Sequence, residues 1–205
     1  MGRVGRVDAL IAAAGILLVG ALTPGPNNFV VMTAGARAGV AGALPALAGI
    51  VLGTLAMTLI IVLGAGAAFA AEPQLRTAVT AAGCLYLGWL GLRLLTSRDA
   101  SVGGSSDESH LPSHTVGLFF FQFLNPKAWA MVLTVTSGVQ SGAGFTRIGL
   151  LVTLIVLIPT VCLALWAWLG TLMAKGLAQP RAARWVERSM GALLVVSACL
   201  LWFTP

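Results

Sequence analysis

Two short segments hold most of the residues that could do chemistry: Thr23-Pro24-Gly25-Pro26-Asn27-Asn28 and Asn125-Pro126-Lys127. Both interrupt apolar sequence. A proline removes a backbone donor and clashes with the carbonyl one turn earlier, so two prolines and a glycine cannot carry a helix through undisturbed. Within hydrocarbon, the freed backbone groups need protein or water partners. A break of this kind therefore implies a cavity; the plainer alternative is a surface loop between two short helices. Pro26 suits the first turn of a restarted helix. The N–H groups exposed there, with the amides of Asn27 and Asn28, suit an anion such as a carboxylate.

The second segment reads the same way, with Asn125 as N-cap and Pro126 as first helical residue. Lys127 is charged and set in an apolar run. Such a lysine is expensive in a membrane and marks function by default. It also lies at the positive end of its half-helix, where a cation is held most easily when an anion visits. A lysine reaching out to the surface is the plainer alternative, and the apolar residues on both sides weigh against it. A third candidate is Tyr86, the chain's single tyrosine, in Gly83-Cys84-Leu85-Tyr86-Leu87-Gly88-Trp89-Leu90-Gly91. The glycines there let helices approach closely, and Tyr86 reads either as a packing residue or as a substrate contact.

What is missing narrows the chemistry. There is no GxxxxGK[ST] loop and hence no built-in nucleotide hydrolysis. No nucleophile–base pair is found, so no enzyme is expected. Asp8 is the one acidic residue placed within a span. His110 and His114 stand near Asp107 and Glu108 in the polar stretch 97–114, but a Gly/Ser-rich segment is a poor preformed metal site. Cys84, Cys162 and Cys199 lie in apolar runs without ligand or disulfide spacing, as small buried hydrophobes do. No metal and no cofactor are expected.

The elements that must position these residues are membrane helices. The 205 residues are 58% hydrophobic and 9% charged, with a mean hydropathy of +0.95. A soluble domain carries about 25% charged residues. At roughly 20 apolar residues per span, the fold class is an all-α integral membrane protein with about six transmembrane helices. Apolar runs cover 8–36, 43–71, 77–95, 115–138, 147–172 and 187–203, the first broken at 23–28 and the fourth at 125–127. Arg3 and Arg6 before an apolar stretch look like a signal peptide. With no convincing cleavage site, the stretch reads as the first span.

The net charge of +6 would suggest nucleic acid in a soluble protein. Here the basic residues sit at span ends and set orientation, so no nucleic acid partner is expected. Arg3, Arg6, Arg76 and Arg147 share one side. Arg37, Arg93, Arg98, Lys175, Arg181, Arg184 and Arg188 share the other, which is expected to be cytoplasmic, with both termini outside. The chain reads as a single domain over 1–205, with repeat 1 at about 7–96, a flexible linker at 97–114 and repeat 2 at 115–205. Each half has a broken helix, a Gly-rich loop (35–42 and 138–144) and further spans. An odd number of spans per half makes the repeats inverted, a transporter design with its site near the midplane.

Leu22–Asn28 (LTPGPNN), GARAG at 35–39, GCLYLGWLGLRLL at 83–95 and FFFQFLNPKAW at 119–129 together resemble the LysE/RhtB family of bacterial amino-acid exporters. The resemblance covers nearly the whole chain in order. It implies export of amino acids or their derivatives across the bacterial inner membrane, driven in general by the proton gradient. It also assigns Pro24, Gly25, Pro26, Asn27, Asn125, Pro126 and Lys127 to the family's two motifs. The expected partners are an amino-acid substrate, protons, the lipid bilayer and a second copy of the chain in a homodimer. An apolar lining without a deep carboxylate points to neutral substrates. The rivals are a passive channel and a heavy-metal exporter of related architecture, which needs Cys, His or carboxylate ligands at membrane depth.

Overall fold

The computed structural model describes residues 3–65, 71–96, 114–140, 144–177 and 179–203. The linker from 97 to 113, with Asp107, Glu108 and His110, lies outside them. Among the described residues the protein is helical without strands. It consists of α1 (Arg3–Leu22), α2 (Pro26–Ile60, followed by a π-helical turn Ile61–Ala65), α3 (Pro73–Thr96), α4 (Thr115–Leu124), α5 (Pro126–Gln140), α6 (Phe145–Leu177) and α7 (Pro180–Phe203).

The breaks fall where proline chemistry puts them, with Pro26 and Pro126 each opening a helix. The expected Gly-rich loop at 35–42 shrinks to a kink of two residues. The helical hydrogen-bonding pattern runs through it, bent at Ala38 (φ −135, ψ 17) and Gly39 (φ 69, ψ −179). Only Ala38 and Gly39 leave the helical conformation; glycine accepts the positive φ there, and the boundary expected between 36 and 43 narrows to this kink between two helices. At 1.5 Å per residue, 35 helical residues would reach about 52 Å, well beyond a hydrocarbon core of about 30 Å. The bend is what lets the two parts run in different directions.

By length and apolar composition alone, Pro26–Gly64 and Phe145–Gly176 are each sufficient to cross a bilayer. The pair α4 and α5, bent by 69° at Asn125, makes a third candidate if counted as one span. The apolar part of α1, Asp8–Leu22, is shorter, and α7 opens with Arg181, Arg184, Glu187 and Arg188.

The main pairings are α2 on α6 and α3 on α7, flanked by α1 on α6 and α4 on α2. Small residues set these approaches, since lipid supplies no hydrophobic drive between helices. A Cβ on Gly91 would stand 2.7 Å from the Gly191 carbonyl oxygen, and one on Gly191 would stand 2.7 Å from that of Gly91. Gly35 against Ala167 and Gly170 against Met32 bring α2 and α6 together in the same manner. Leu17, Leu87, Leu118, Leu151 and Leu194 are buried, while Leu63, Leu85, Val116 and Leu200 are turned outward. In a bilayer such outward apolar side chains meet lipid.

Candidate functional site

Thr23, Pro24 and Gly25 form the first break. Gly25 is extended (φ −169, ψ −179), a conformation open to any residue. What requires glycine is space: a Cβ there would lie 3.1 Å from Lys127 Nζ. The carbonyls freed at the end of α1 are taken up by side chains. Asn28 Nδ2 donates to Ala21 O at 2.8 Å and, at 3.4 Å, to Thr23 O. Lys127 Nζ donates to Thr23 O at 2.6 Å, so a residue opening α5 closes the gap after α1.

The second break is Asn125 alone. Its Oδ1 accepts the Lys127 backbone N–H at 3.2 Å, and Trp129 Nε1 donates to Phe123 O at 2.9 Å. A further tie runs in the opposite direction. Asn27 Nδ2 donates to Gln122 Oε1 at 2.9 Å, and Gln122 Nε2 returns a bond to Asn27 Oδ1 at 3.1 Å. The residue after each restart proline thus reaches across to the other break: Lys127 to the end of α1, Asn27 to the end of α4. Gln122 is fully buried (0% exposed). Glycine makes its room, since a Cβ on Gly53 would fall 2.7 Å from Gln122 Cγ.

Around these ties lies a cavity with an empty volume of about 450 Å³, its open mouth included. Asn27, Asn28, Asn125, Thr54 and Lys127 supply its polar wall; Ile50, Met131 and Leu163 belong to its apolar wall. Lys127 is the one charged residue in the lining. Such a wall can hold a carboxylate at the ammonium and a hydrogen-bond donor at the carbonyls ending α1. It also offers apolar contact to a short side chain. Among the described residues no three His, Cys, Asp or Glu side chains gather as metal ligands would.

Of the residues expected to form the site, Gly25, Pro26, Asn27, Asn28, Asn125 and Lys127 line this cavity. Pro24, Pro126 and Tyr86 do not. Pro126 packs on α3, where a Cβ on Gly83 would come 2.9 Å from its Cδ. Tyr86 packs at a tilt against Phe121 and Trp89, ring centroids 5.5 and 5.8 Å away.

Two residues were not foreseen. Gln122 is the single polar side chain of Phe119–Leu124, and that isolation was its signal. Glu187 is the other: it lies in α7, 1% exposed, while Asp8 is exposed. Its neighbours Arg184 and Arg188 drew that stretch towards the headgroups on paper. The helix turns Glu187 inward while those arginines stay outside.

A family profile described as LysE type translocator matches residues 18–204. The chain is 31% identical to a leucine efflux protein of Klebsiella pneumoniae over 129 residues, 62% of this chain and 59% of that one. It is 31% identical to a cysteine/O-acetylserine efflux protein of Salmonella typhimurium over 169 residues, 77% of this chain and 80% of that one. It is 34% identical to an uncharacterized membrane protein of Pseudomonas aeruginosa over 95 residues, 46% of this chain and 44% of that one. The chain thus spans less than two thirds of the length of the Klebsiella and Pseudomonas relatives. No solved structure matches it.

Proposed function

We propose that this chain, which belongs to the LysE type translocator family, exports amino acids with uncharged side chains from the cytoplasm, driven by protons. The observation that carries this reading is the convergence of both helix breaks and Lys127 on one cavity whose lining has a cation and no carboxylate. The substrate carboxylate takes Lys127 from Thr23 O. The substrate ammonium takes the carbonyls at the end of α1 and the Asn side-chain oxygens. A side chain of modest size rests on Ile50, Met131 and Leu163. A second ammonium, as on lysine, would find no counter-charge there. The names of the two efflux relatives, leucine and cysteine/O-acetylserine, support the uncharged class.

The spans follow from the same reading. α1 with the first part of α2 makes span one, the rest of α2 span two and α3 span three; α4 with α5, α6 and α7 repeat the order upside down. The packing supports this. Exchanging the halves maps α2–α6 and α3–α7 onto themselves and α1–α6 onto α4–α2. The side bearing Arg37, Arg93, Lys175 and the start of α7 faces the cytoplasm, with both termini outside. Coupling falls to Lys127, the one titratable group in the lining, which takes up its proton from outside and gives it up to the cytoplasm once in each export cycle.

Proteoliposomes test the reading. Leucine or cysteine should accumulate against its gradient when a proton gradient is imposed and stop when an uncoupler is added. Poorly saturating flux that never runs uphill would mean a channel instead.

A further inference from the structure

α7 opens with Arg181, Arg184, Trp185 and Arg188, whose spacing puts them on one face of the helix. Together they line a cavity with an empty volume of about 470 Å³, its open side included. All are exposed, Trp185 to 75%. The opposite face of the same turns is core: Ala183, Glu187 and Met190 are buried, and Gly191 lies against Gly91 of α3. The carboxylate of this segment therefore points inward. The outward cavity is walled by three guanidinium groups and an indole.

The same face continues along the helix as Ala192, Val196, Cys199 and Phe203, all exposed and uncharged. From Arg188 to Phe203 the rise is about 22 Å, enough to cross one hydrocarbon leaflet of about 15 Å. A cationic cavity at one end and an apolar strip of leaflet length beyond it match a phospholipid in both halves of its structure.

We propose that this face binds an anionic phospholipid. Arg181, Arg184 and Arg188 hold its phosphate, Trp185 sits at headgroup level, and an acyl chain lies along the strip to Phe203. Orientation in the membrane needs positive charge alone, which lysine supplies equally. Fork-like phosphate binding needs the planar guanidinium. The arginines here are placed for the second task as well as the first.

The distinction sets the experiment. The full chain is purified in detergent and offered phosphatidylglycerol, phosphatidylcholine or inorganic phosphate, and bound lipid is counted by native mass spectrometry. The wild type should retain phosphatidylglycerol several-fold over phosphatidylcholine. The Arg181→Lys, Arg184→Lys, Arg188→Lys triple variant keeps charge and orientation and should lose most of that preference. Should the triple variant fail to fold, Arg188→Lys alone should lose part of it. Equal retention of the two lipids, or an unchanged preference in the lysine variants, would overturn the site. Inorganic phosphate at equal concentration should not displace the lipid; if it does, the strip to Phe203 has no share in binding and the lipid assignment fails.

Discussion

Between α1 and α2 the residues Thr23, Pro24 and Gly25 leave the helix; between α4 and α5 only Asn125 does. The narrow break is served locally, by the Trp129 indole and the Asn125 side chain. The wide one needs Asn28 from its own restart and Lys127 from the other half of the chain. The narrow break thus caps its own backbone groups, Asn27 reaching only the Gln122 side chain before it, while the wide one is finished by a borrowed cation. A local cap has no reason to let go when substrate arrives. The Lys127 bond to Thr23 O joins a cation to a neutral carbonyl, and a carboxylate outbids it because it adds a full opposite charge to the same contact. On the proposed reading, the first break is therefore where bound substrate would act on the backbone.

The largest expected effect comes from removing the borrowed cation. Lys127→Met should take export of leucine or cysteine to background, because it strips the cavity of its charge and Thr23 O of a partner together. Lys127→Arg keeps the charge yet cannot lose its proton at accessible pH. It should exchange substrate down a gradient in proteoliposomes and fail to concentrate it. Uphill transport by the arginine variant would remove Lys127 from the coupling step, and normal export by the methionine variant would end its role altogether.

Next in size is the wide break itself. With Pro24, Gly25 and Pro26 all replaced by alanine, α1 can run on into α2. The protein should still insert, while export falls strongly. Pro126→Ala should be milder, since Asn125 remains as a cap. Similar losses in both variants, measured as initial rates at equal membrane content, would erase the contrast between the breaks.

The local caps come third. Asn28→Ala leaves Ala21 O without its donor, and Trp129→Phe does the same to Phe123 O. Each should cost about 1–3 kcal/mol in thermal or denaturant unfolding, the range for a buried group left unsatisfied. Only the Asn28 change should also raise KM, because Asn28 lines the cavity and Trp129 does not. An equal rise in KM for the tryptophan variant would place the second break in the binding site too.

How much of this was legible in the sequence depends on how local each signal is. The restarts at Pro26 and Pro126 were readable because the proline ring acts on its own turn. The polar wall followed, since Asn27, Asn28, Asn125 and Lys127 sit beside those prolines. That Lys127 serves the other break could not be read, for nothing near it in sequence speaks of Thr23. Gln122 was hidden among phenylalanines, and only burial against Asn27 gives it meaning. Tyr86 drew notice by being unique, a compositional fact with no bearing on where its ring points. The turn between two helices at 35–42 was legible, but not that Ala38 and Gly39 alone make it, because a cluster of glycines looks alike whether one or all of them turn the chain.

The smallest effect separates two glycines that look equivalent in the sequence. Gly39 has φ 69 and ψ −179, a region nearly closed to residues with a side chain, and an alanine there would cost on the order of 1–3 kcal/mol. Gly25 is extended, so alanine costs its backbone nothing. What alanine meets instead is Lys127 Nζ at 3.1 Å, the far end of a flexible side chain that can yield by a few tenths of an ångström. Gly25→Ala should therefore unfold like the wild type and raise KM only by about two- to fivefold, while Gly39→Ala should lower the unfolding midpoint and leave KM nearly alone. The pair is read by running thermal unfolding and transport kinetics on the same preparations. If Gly25→Ala lowered stability with KM unchanged, glycine at the wide break would be there for the chain's path. The inference that it makes room for the borrowed lysine would then fail.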